Sequence, residues 1–181
     1  CSTTSSGIPG ATVMGHIAGQ SAAQFASSQA KVQPLSSEEV DQVREMLYQP
    51  LQLQEGMTSH EYEDRVRDIV TDYIGFRREE SRMQKGLKLL RDLRSRDDVI
   101  KAVDYHGVMR VNEARAIQLN AEALAVSASE RKESRGGAAH VREDYPETND
   151  ETGLSITMVE MVDDELQAST KPTGLDPNPI Q

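Results

Sequence analysis

Val108, Val111, Ala114, Ile117, Ala121, Leu124 and Ala128 recur at steps of three and four. No other stretch constrains the fold as strongly. Steps of three and four put these side chains on one face of an α-helix, and the span of the pattern gives a helix of roughly 25–30 residues. A helix that long, with so narrow and Ala-rich a stripe, needs other helices laid along it. The sequence supplies them. Ser36 and Glu39 form a capping box ahead of Val40, Val43, Met46 and Leu47. Thr58 and Glu61 form a second one, followed by the stripe Tyr62, Val66, Ile69, Val70, Tyr73 and Ile74, which Gly75 interrupts. Phe76, Met83, Leu87, Leu90 and Leu93 predict a further helix ending near Ser95. The fold class is therefore mainly α, with long antiparallel helices joined by short loops in an up-down bundle.

The rest of the chain departs from this pattern. Residues 10–30 contain no Asp, Glu, Lys or Arg and are dominated by Ala and Gly, with Pro9 suited to a first helical turn. A solvated helix normally carries charge, so this one is expected to be wedged into another module. Beyond Pro146, residues 155–162 and 166–170 flank the turn residues Asp163, Asp164 and Glu165 and predict a β-hairpin, which alone is marginal and should lie on another surface. The last residues, rich in Pro, Gly and Asn, predict a loose tail. The expected division is residues 1–33 as a terminal loop and helix, 34–152 as the bundle, 153–172 as the hairpin and 173–181 as the tail.

Composition narrows the function. Hydrophobic residues make up 36% and aromatics 4%, with no Trp, a thin supply for a self-sufficient core and one that suits a chain resting on a partner. A net charge of −10 repels phosphate backbones, which argues against nucleic acid. No apolar run approaches the roughly 20 residues of a membrane span. The single cysteine, Cys1, cannot form an internal disulfide and fits a reducing compartment. "CSTTSSG" also suits a lipid-anchored protein tethered through an acylated Cys1, the minority reading.

The densest chemistry is "SERKESRGGAAHVREDYP", residues 129–146. A plain helix end needs only a Gly and a basic residue. Here Arg131, Lys132, Arg135, His140 and Arg142 alternate with Glu130, Glu133, Glu143 and Asp144. His140 has no second His or Cys at ligand spacing, so a metal site is disfavoured. A solvated charged loop, a catalytic dyad and a paired interface all remain open on the residues alone. Buried charges must be paired to be tolerated, and Arg135, His140, Arg142 and Asp144 are the residues expected to pair as a structural interface.

This stretch resembles the signature that ends the long helix in the C-terminal domain of the succinate dehydrogenase/fumarate reductase flavoprotein family, whose relatives include L-aspartate oxidase and the adenylylsulfate reductase flavoprotein. The matching residues are Arg131, Glu133, Ser134, Arg135, Gly136, His140, Arg142, Asp144, Tyr145 and Pro146. "YIGFRREESRMQKGLKLLRDL", residues 73–93, is similar to the preceding family helix, and "GHIAGQSAA", residues 15–23, to the last FAD-binding helix. The resemblance implies an FAD-dependent oxidoreductase that this chain only completes: a partner portion would carry the dinucleotide-binding fold, since no G-x-G-x-x-G occurs in these residues. It implies that Ser5, Ser6, Gly7 and Ile8 meet the flavin, that an iron–sulfur subunit is a further partner, and that the location is cytoplasmic, peripheral to the inner membrane through partners. The alternative is a helical interaction subunit that has lost the flavin.

Three departures accompany the resemblance. The family Arg that clamps a substrate carboxylate falls on or near Ser2, so substrate charge is met by the partner or the substrate is not a dicarboxylate. Gly137 and a further Ala lengthen the Arg–Gly–Ala–His spacing by two. "NDETGLS" stands where the family often has a Trp.

Overall fold

The computed structural model describes residues 7–28, 34–96, 99–136 and 140–174. Cys1, Ser2, Ser5, Ser6 and Gly137, together with the tail from residue 175, lie outside the described residues. Contacts divide the chain into two compact units, residues 1–43 and 44–181.

In the first unit, α1 runs over Gly7–Ser28 and buries none of its residues. Pro9 falls in its first turn, at the third position. The helix ends are bonded through short hydroxyls: Thr12 Oγ1 donates to the Ile8 carbonyl (3.0 Å) and Ser27 Oγ to that of Ala23 (2.8 Å). α2, Ser37–Tyr48, crosses from one unit to the other along the chain. Its capping box forms: the Glu39 N–H donates to Ser36 Oγ (3.2 Å) and the Ser36 N–H to Glu39 Oε2 (2.8 Å). Val40, Val43 and Met46 stay exposed.

The second unit holds the bundle. α3, Ser59–Ile69, starts at Thr58 with a complete capping box to Glu61. It runs into a π-helical turn, Val70–Ile74, that Gly75 ends. α4 spans Glu80–Arg94 and α5 spans Tyr105–Glu130, capped by Asp104 Oδ1 accepting from the Gly107 N–H (2.7 Å). α4 lies close against the π turn because residue 86 is glycine: a Cβ there would stand 2.7 Å from Tyr73 Cβ and 3.1 Å from Ile74 Cγ1. Tyr62, Val66, Ile74, Leu87, Leu90, Ile100, Val111 and Ala114 form the centre of the core.

Besides the exposed stripe of α2, two details differ from the expected stripes. Phe76 is not in a helix; it is 62% exposed and precedes β2, Arg77–Arg78. The backbone there is taken by parallel pairing with β4, Val141–Arg142, so the helix cannot begin until Glu80. On α5, Ile117 and Leu124 are 39% and 43% exposed, while Gln118 and Glu122 are buried in their place. Gln118 Nε2 donates to the Leu90 carbonyl (3.1 Å) and to Glu122 Oε2 (3.2 Å), and Glu122 meets Arg91 Nε (3.4 Å) and Arg94 Nε (3.2 Å). A paired polar layer therefore occupies one level of the α4–α5 contact, where burial is tolerated because every member has a partner.

A second short parallel pair joins β1, Met57–Thr58, to β3, Ile100–Lys101. After the one-turn helix α6, Asp150–Gly153, comes the antiparallel hairpin of β5, Ser155–Val162, and β6, Glu165–Pro172. Its two-residue turn, Asp163–Asp164, has both φ angles positive, at 49° and 63°, the geometry that follows strand twist. Leu166, Val159 and Ala168 pack into the same core as the helices, which gives the hairpin the surface it needs. Among the described residues no helix is long and apolar enough to cross a membrane, and no group of His, Cys, Asp and Glu could hold a metal ion.

Candidate functional site: the charged corner at the end of the long helix

The last turn of an α-helix leaves carbonyls without intrahelical donors and carries partial negative charge. At the end of α5 those carbonyls meet Arg142, whose side chain is 0% exposed. Its Nη1 donates to the carbonyls of Ala128 (3.0 Å), Ser129 (3.4 Å) and Arg131 (3.2 Å). Nε and Nη2 form a two-pronged bond to Asp144 Oδ1 and Oδ2, each at 2.7 Å, and Nη2 also reaches Glu80 Oε2 at 2.8 Å. The guanidinium sits 4.9 Å from the centre of the Tyr145 ring. Every face of the buried cation is thus matched, as a desolvated charge requires.

Asp144 does more than neutralise Arg142. Its Oδ2 accepts from the Glu80 N–H (3.0 Å), one of the orphan donors at the start of α4, where Glu79 offers no cap of its own. The Arg142 fork holds the Asp144 carboxyl down at about 2, against the upward push of burial.

A second network lies beside it. Glu133, buried, accepts from Arg135 Nε and Nη2 (both 2.9 Å), from the Asn149 N–H (3.0 Å) and from Arg131 Nη1. Burial alone would raise its carboxyl; Arg135, the Asn149 N–H and Arg131 together outweigh that and bring it to about 2. Arg131 also donates to the carbonyls of Gly153 (2.8 Å) and Ser155 (2.6 Å), and Arg135 to Asp150 Oδ1 (2.8 Å). Gly153 is glycine for want of room: a Cβ would stand 2.2–2.4 Å from the Glu133 carboxylate.

His140 lies between the two networks and is 6% exposed. Arg78 Nη1 is 2.9 Å from its Nδ1 and the Arg131 carbonyl is 3.0 Å from its Nε2. A guanidinium has only donors and a carbonyl only accepts, so the ring is the neutral Nε2–H tautomer. Burial, with Arg78, Arg131 and Arg142 nearby, pushes the imidazole pKa down from 6.5, outweighing its bond to the Arg131 carbonyl.

The residues expected to pair with one another are thus distributed over two networks. Arg142 and Asp144 pair directly. Arg135 takes Glu133 and Asp150 as its carboxylates and meets His140 only through the backbone, its N–H donating to the His140 carbonyl at 2.7 Å. Arg78 and Glu80, which lie in the stretch similar to the preceding family helix and are not expected in this cluster, complete it from 62 residues away. No local spacing marks them; the only sequence hint is that a buried His and Arg need partners. Glu80, Glu133 and Asp144 are each paired with an arginine, and the arrangement is that of a clamp on the end of α5.

Gly7 and Ile8 lie at the exposed start of α1. Their N–H groups precede the first intrahelical bond, the first turn contains no acidic residue, and a Cβ on Gly7 would meet nothing within 4 Å. An electron-rich ring edge could approach this backbone, so the residues present fit a flavin.

The family model described as the fumarate reductase flavoprotein C-terminal region matches residues 63–180. The fumarate reductase flavoprotein subunit of Haemophilus influenzae is 32% identical over 155 residues, covering 81% of this chain and 25% of that protein. The succinate dehydrogenase flavoprotein subunit of Coxiella burnetii is 34% identical over 122 residues, covering 63% and 20%. The chain spans about a quarter of the length of these curated relatives. Among solved structures, adenylylsulfate reductase from Archaeoglobus fulgidus superposes with a TM-score of 0.79 at 24% identity, over 89% of this chain and 28% of that one. E. coli quinol fumarate reductase superposes with a TM-score of 0.72 at 26% identity, over 91% and 30%.

Proposed function

The chain belongs to the family of fumarate reductase flavoprotein C-terminal regions, and on that premise we propose that it is the C-terminal part of an FAD-dependent oxidoreductase and completes the flavin site together with a dinucleotide-binding portion. The observation that carries this reading is α1. It is 22 residues long, has no acidic residue in its first turn or basic residue in its last, and buries nothing, while Ile8, Val13, Met14, Ile17 and Phe25 stand exposed. Apolar residues exposed together in this number mark a surface that another body covers.

FAD would supply the two-electron redox chemistry. The chain's own residues would bind and orient it. Gly7 and Ile8, with Ser5 and Ser6 before them, would bring backbone N–H groups against the pyrimidine edge. The positive end of α1 would stand behind them, where reduction brings negative charge. Pro9 has no N–H, so the donors would come from Gly7, Ile8 or the turn after Gly10. Small residues at Gly15, Ala18, Gly19, Ala22 and Ala23 would let the partner backbone approach closely. The clamp of Arg131, Glu133, Arg135, His140, Arg142 and Asp144 would hold the end of α5 rigid for docking, without touching the reacting atoms. Residues 1–33 would then belong with the flavin-binding body and residues 34–152 with the helical one, and an iron–sulfur subunit and a cytoplasmic location are part of the same proposal.

The test is Gly7→Val in the flavin-loaded protein. A Val side chain obstructs the approach, so weakened FAD retention or a displaced reduction potential is expected. Normal FAD binding with an unchanged potential overturns this placement. A purified complex with no flavin absorbance overturns the oxidoreductase reading in favour of a helical interaction subunit.

A further inference from the structure

A cleft of about 490 Å³ opens beside the clamp, lined among others by Arg78, Arg131, Arg135, His140, Ser127 and Ser155. Its size is that of a small-ligand pocket. Its chemistry is unlike the rest of the molecule. The chain carries a net charge of −10, yet among the described residues three arginines line this cleft and no carboxylate does. Glu133 and Asp150 hold Arg131 and Arg135 from behind and do not line it.

The guanidinium groups are also only partly used. Arg78 spends Nε on the Ile74 carbonyl (2.9 Å) and Nη1 on His140. Arg135 spends Nε and Nη2 on Glu133 and Asp150. Among the described residues, Arg78 Nη2 and Arg135 Nη1 donate to nothing. Both arginines are pinned by their other bonds, so little side-chain entropy is left to lose on binding a further acceptor. His140 accepts from Arg78, so it keeps that guanidinium in place while adding no negative charge of its own.

We propose that this cleft binds an oxyanion group, a carboxylate or a phosphate, on Arg78 and Arg135, with the Ser127 hydroxyl beside it. Two sources carry that chemistry: a free small anion, or an acidic side chain of the dinucleotide-binding portion. The site itself stands on the geometry of the helical unit; only the second source rests on the function proposed above.

Titration calorimetry with inorganic phosphate, at ionic strength held constant with sodium chloride, tests it. The full chain should bind saturably. Arg135→Gln should weaken binding by about tenfold or more, a loss of about 1.4 kcal/mol. Arg77→Gln removes the same charge from a neighbour that does not line the cleft and should change little. Ser127→Asp places a carboxylate in the cleft and should abolish binding in a protein that still folds. Saturable binding in both the full chain and the flavin-loaded protein identifies a free anion. Binding in the chain that is lost in the flavin-loaded protein identifies a protein carboxylate. No saturable binding to the chain, equal losses in the Arg77 and Arg135 variants, or undiminished binding to Ser127→Asp overturns the site whether or not the flavin reading holds.

Discussion

Arg142 and Asp144 tie the end of one helix to the start of another. The Arg142 guanidinium donates to the carbonyls of Ala128 and Ser129 at the end of α5, and Asp144, bonded to it through both oxygens, accepts from the Glu80 N–H at the start of α4. The cation faces the negative end of one helix and the carboxylate the positive end of the other, so pair and dipoles reinforce one another. Parallel pairing of Arg77–Arg78 with Val141–Arg142 holds the two helix ends in register.

Removing one partner of this pair strands the other in a buried place. Arg142→Ala is expected to cost about 3–5 kcal/mol of unfolding free energy. Arg142→Lys should recover only part of it, because a single ammonium cannot form the fork to Asp144 and reach the helix carbonyls together. Urea unfolding of the two variants checks both statements, and a loss under about 1 kcal/mol for Arg142→Ala would show the pair to be worth no more than a surface bridge.

Gly153→Ala should destabilise the chain although the residue lies in a short helix where Ala is locally favoured. The new methyl would collide with a carboxylate that donors from Arg131, Arg135 and Asn149 hold in place. The loss should shrink in a Glu133→Ala background, where nothing remains to collide with. A double-mutant cycle measures this directly; additive losses would mean that Gly153 and Glu133 do not interact.

His140 gives the stability a pH dependence of known sign. Its folded pKa lies below 6.5, so the unfolded chain binds the proton more readily. Stability therefore falls as pH drops below 6.5, with a slope of at most about 1.4 kcal/mol per pH unit from this one group. His140→Gln should flatten that segment of the profile. Glu133 and Asp144 act further down: their folded values of about 2 lie below the ordinary 4.5 and 3.8, so their contribution is present above those values and lost as pH falls towards 2. Unfolding free energies across this range, with and without His140, separate the two windows.

The hairpin turn offers a gain. Asp163 and Asp164 both hold positive φ, which costs a residue with a Cβ roughly 1–2 kcal/mol. An Asn–Gly pair suits that turn, so the double variant Asp163→Asn with Asp164→Gly should raise the unfolding free energy by about 1 kcal/mol. An unchanged or lowered thermal midpoint would refute the turn geometry as the source of strain.

Much of this protein is readable from the order of its residues. The two capping boxes, the long helix ending beside Arg131 and the hairpin depend on contacts between residues a few positions apart, so local periodicity and capping chemistry determine them; only the exact turn, with Glu165 already in the second strand, differs. The stripe on α5 is legible at Val108, Val111, Ala114, Ala121 and Ala128 and misleading at Ile117 and Leu124, because Gln118 and Glu122 are polar and periodicity counts only apolar residues. Their burial depends on Arg91, Arg94 and the Leu90 carbonyl, all on another helix. The charged corner follows the same division. The sequence alone marks Arg135, His140, Arg142 and Asp144 as a dense cluster ending a helix. Only the tertiary structure decides that Arg142 faces Glu80 and that His140 faces Arg78, each across 62 positions. The reason is physical: a charge finds its partner through space once the backbone has closed, and residue spacing carries no record of which distant segment arrives beside it.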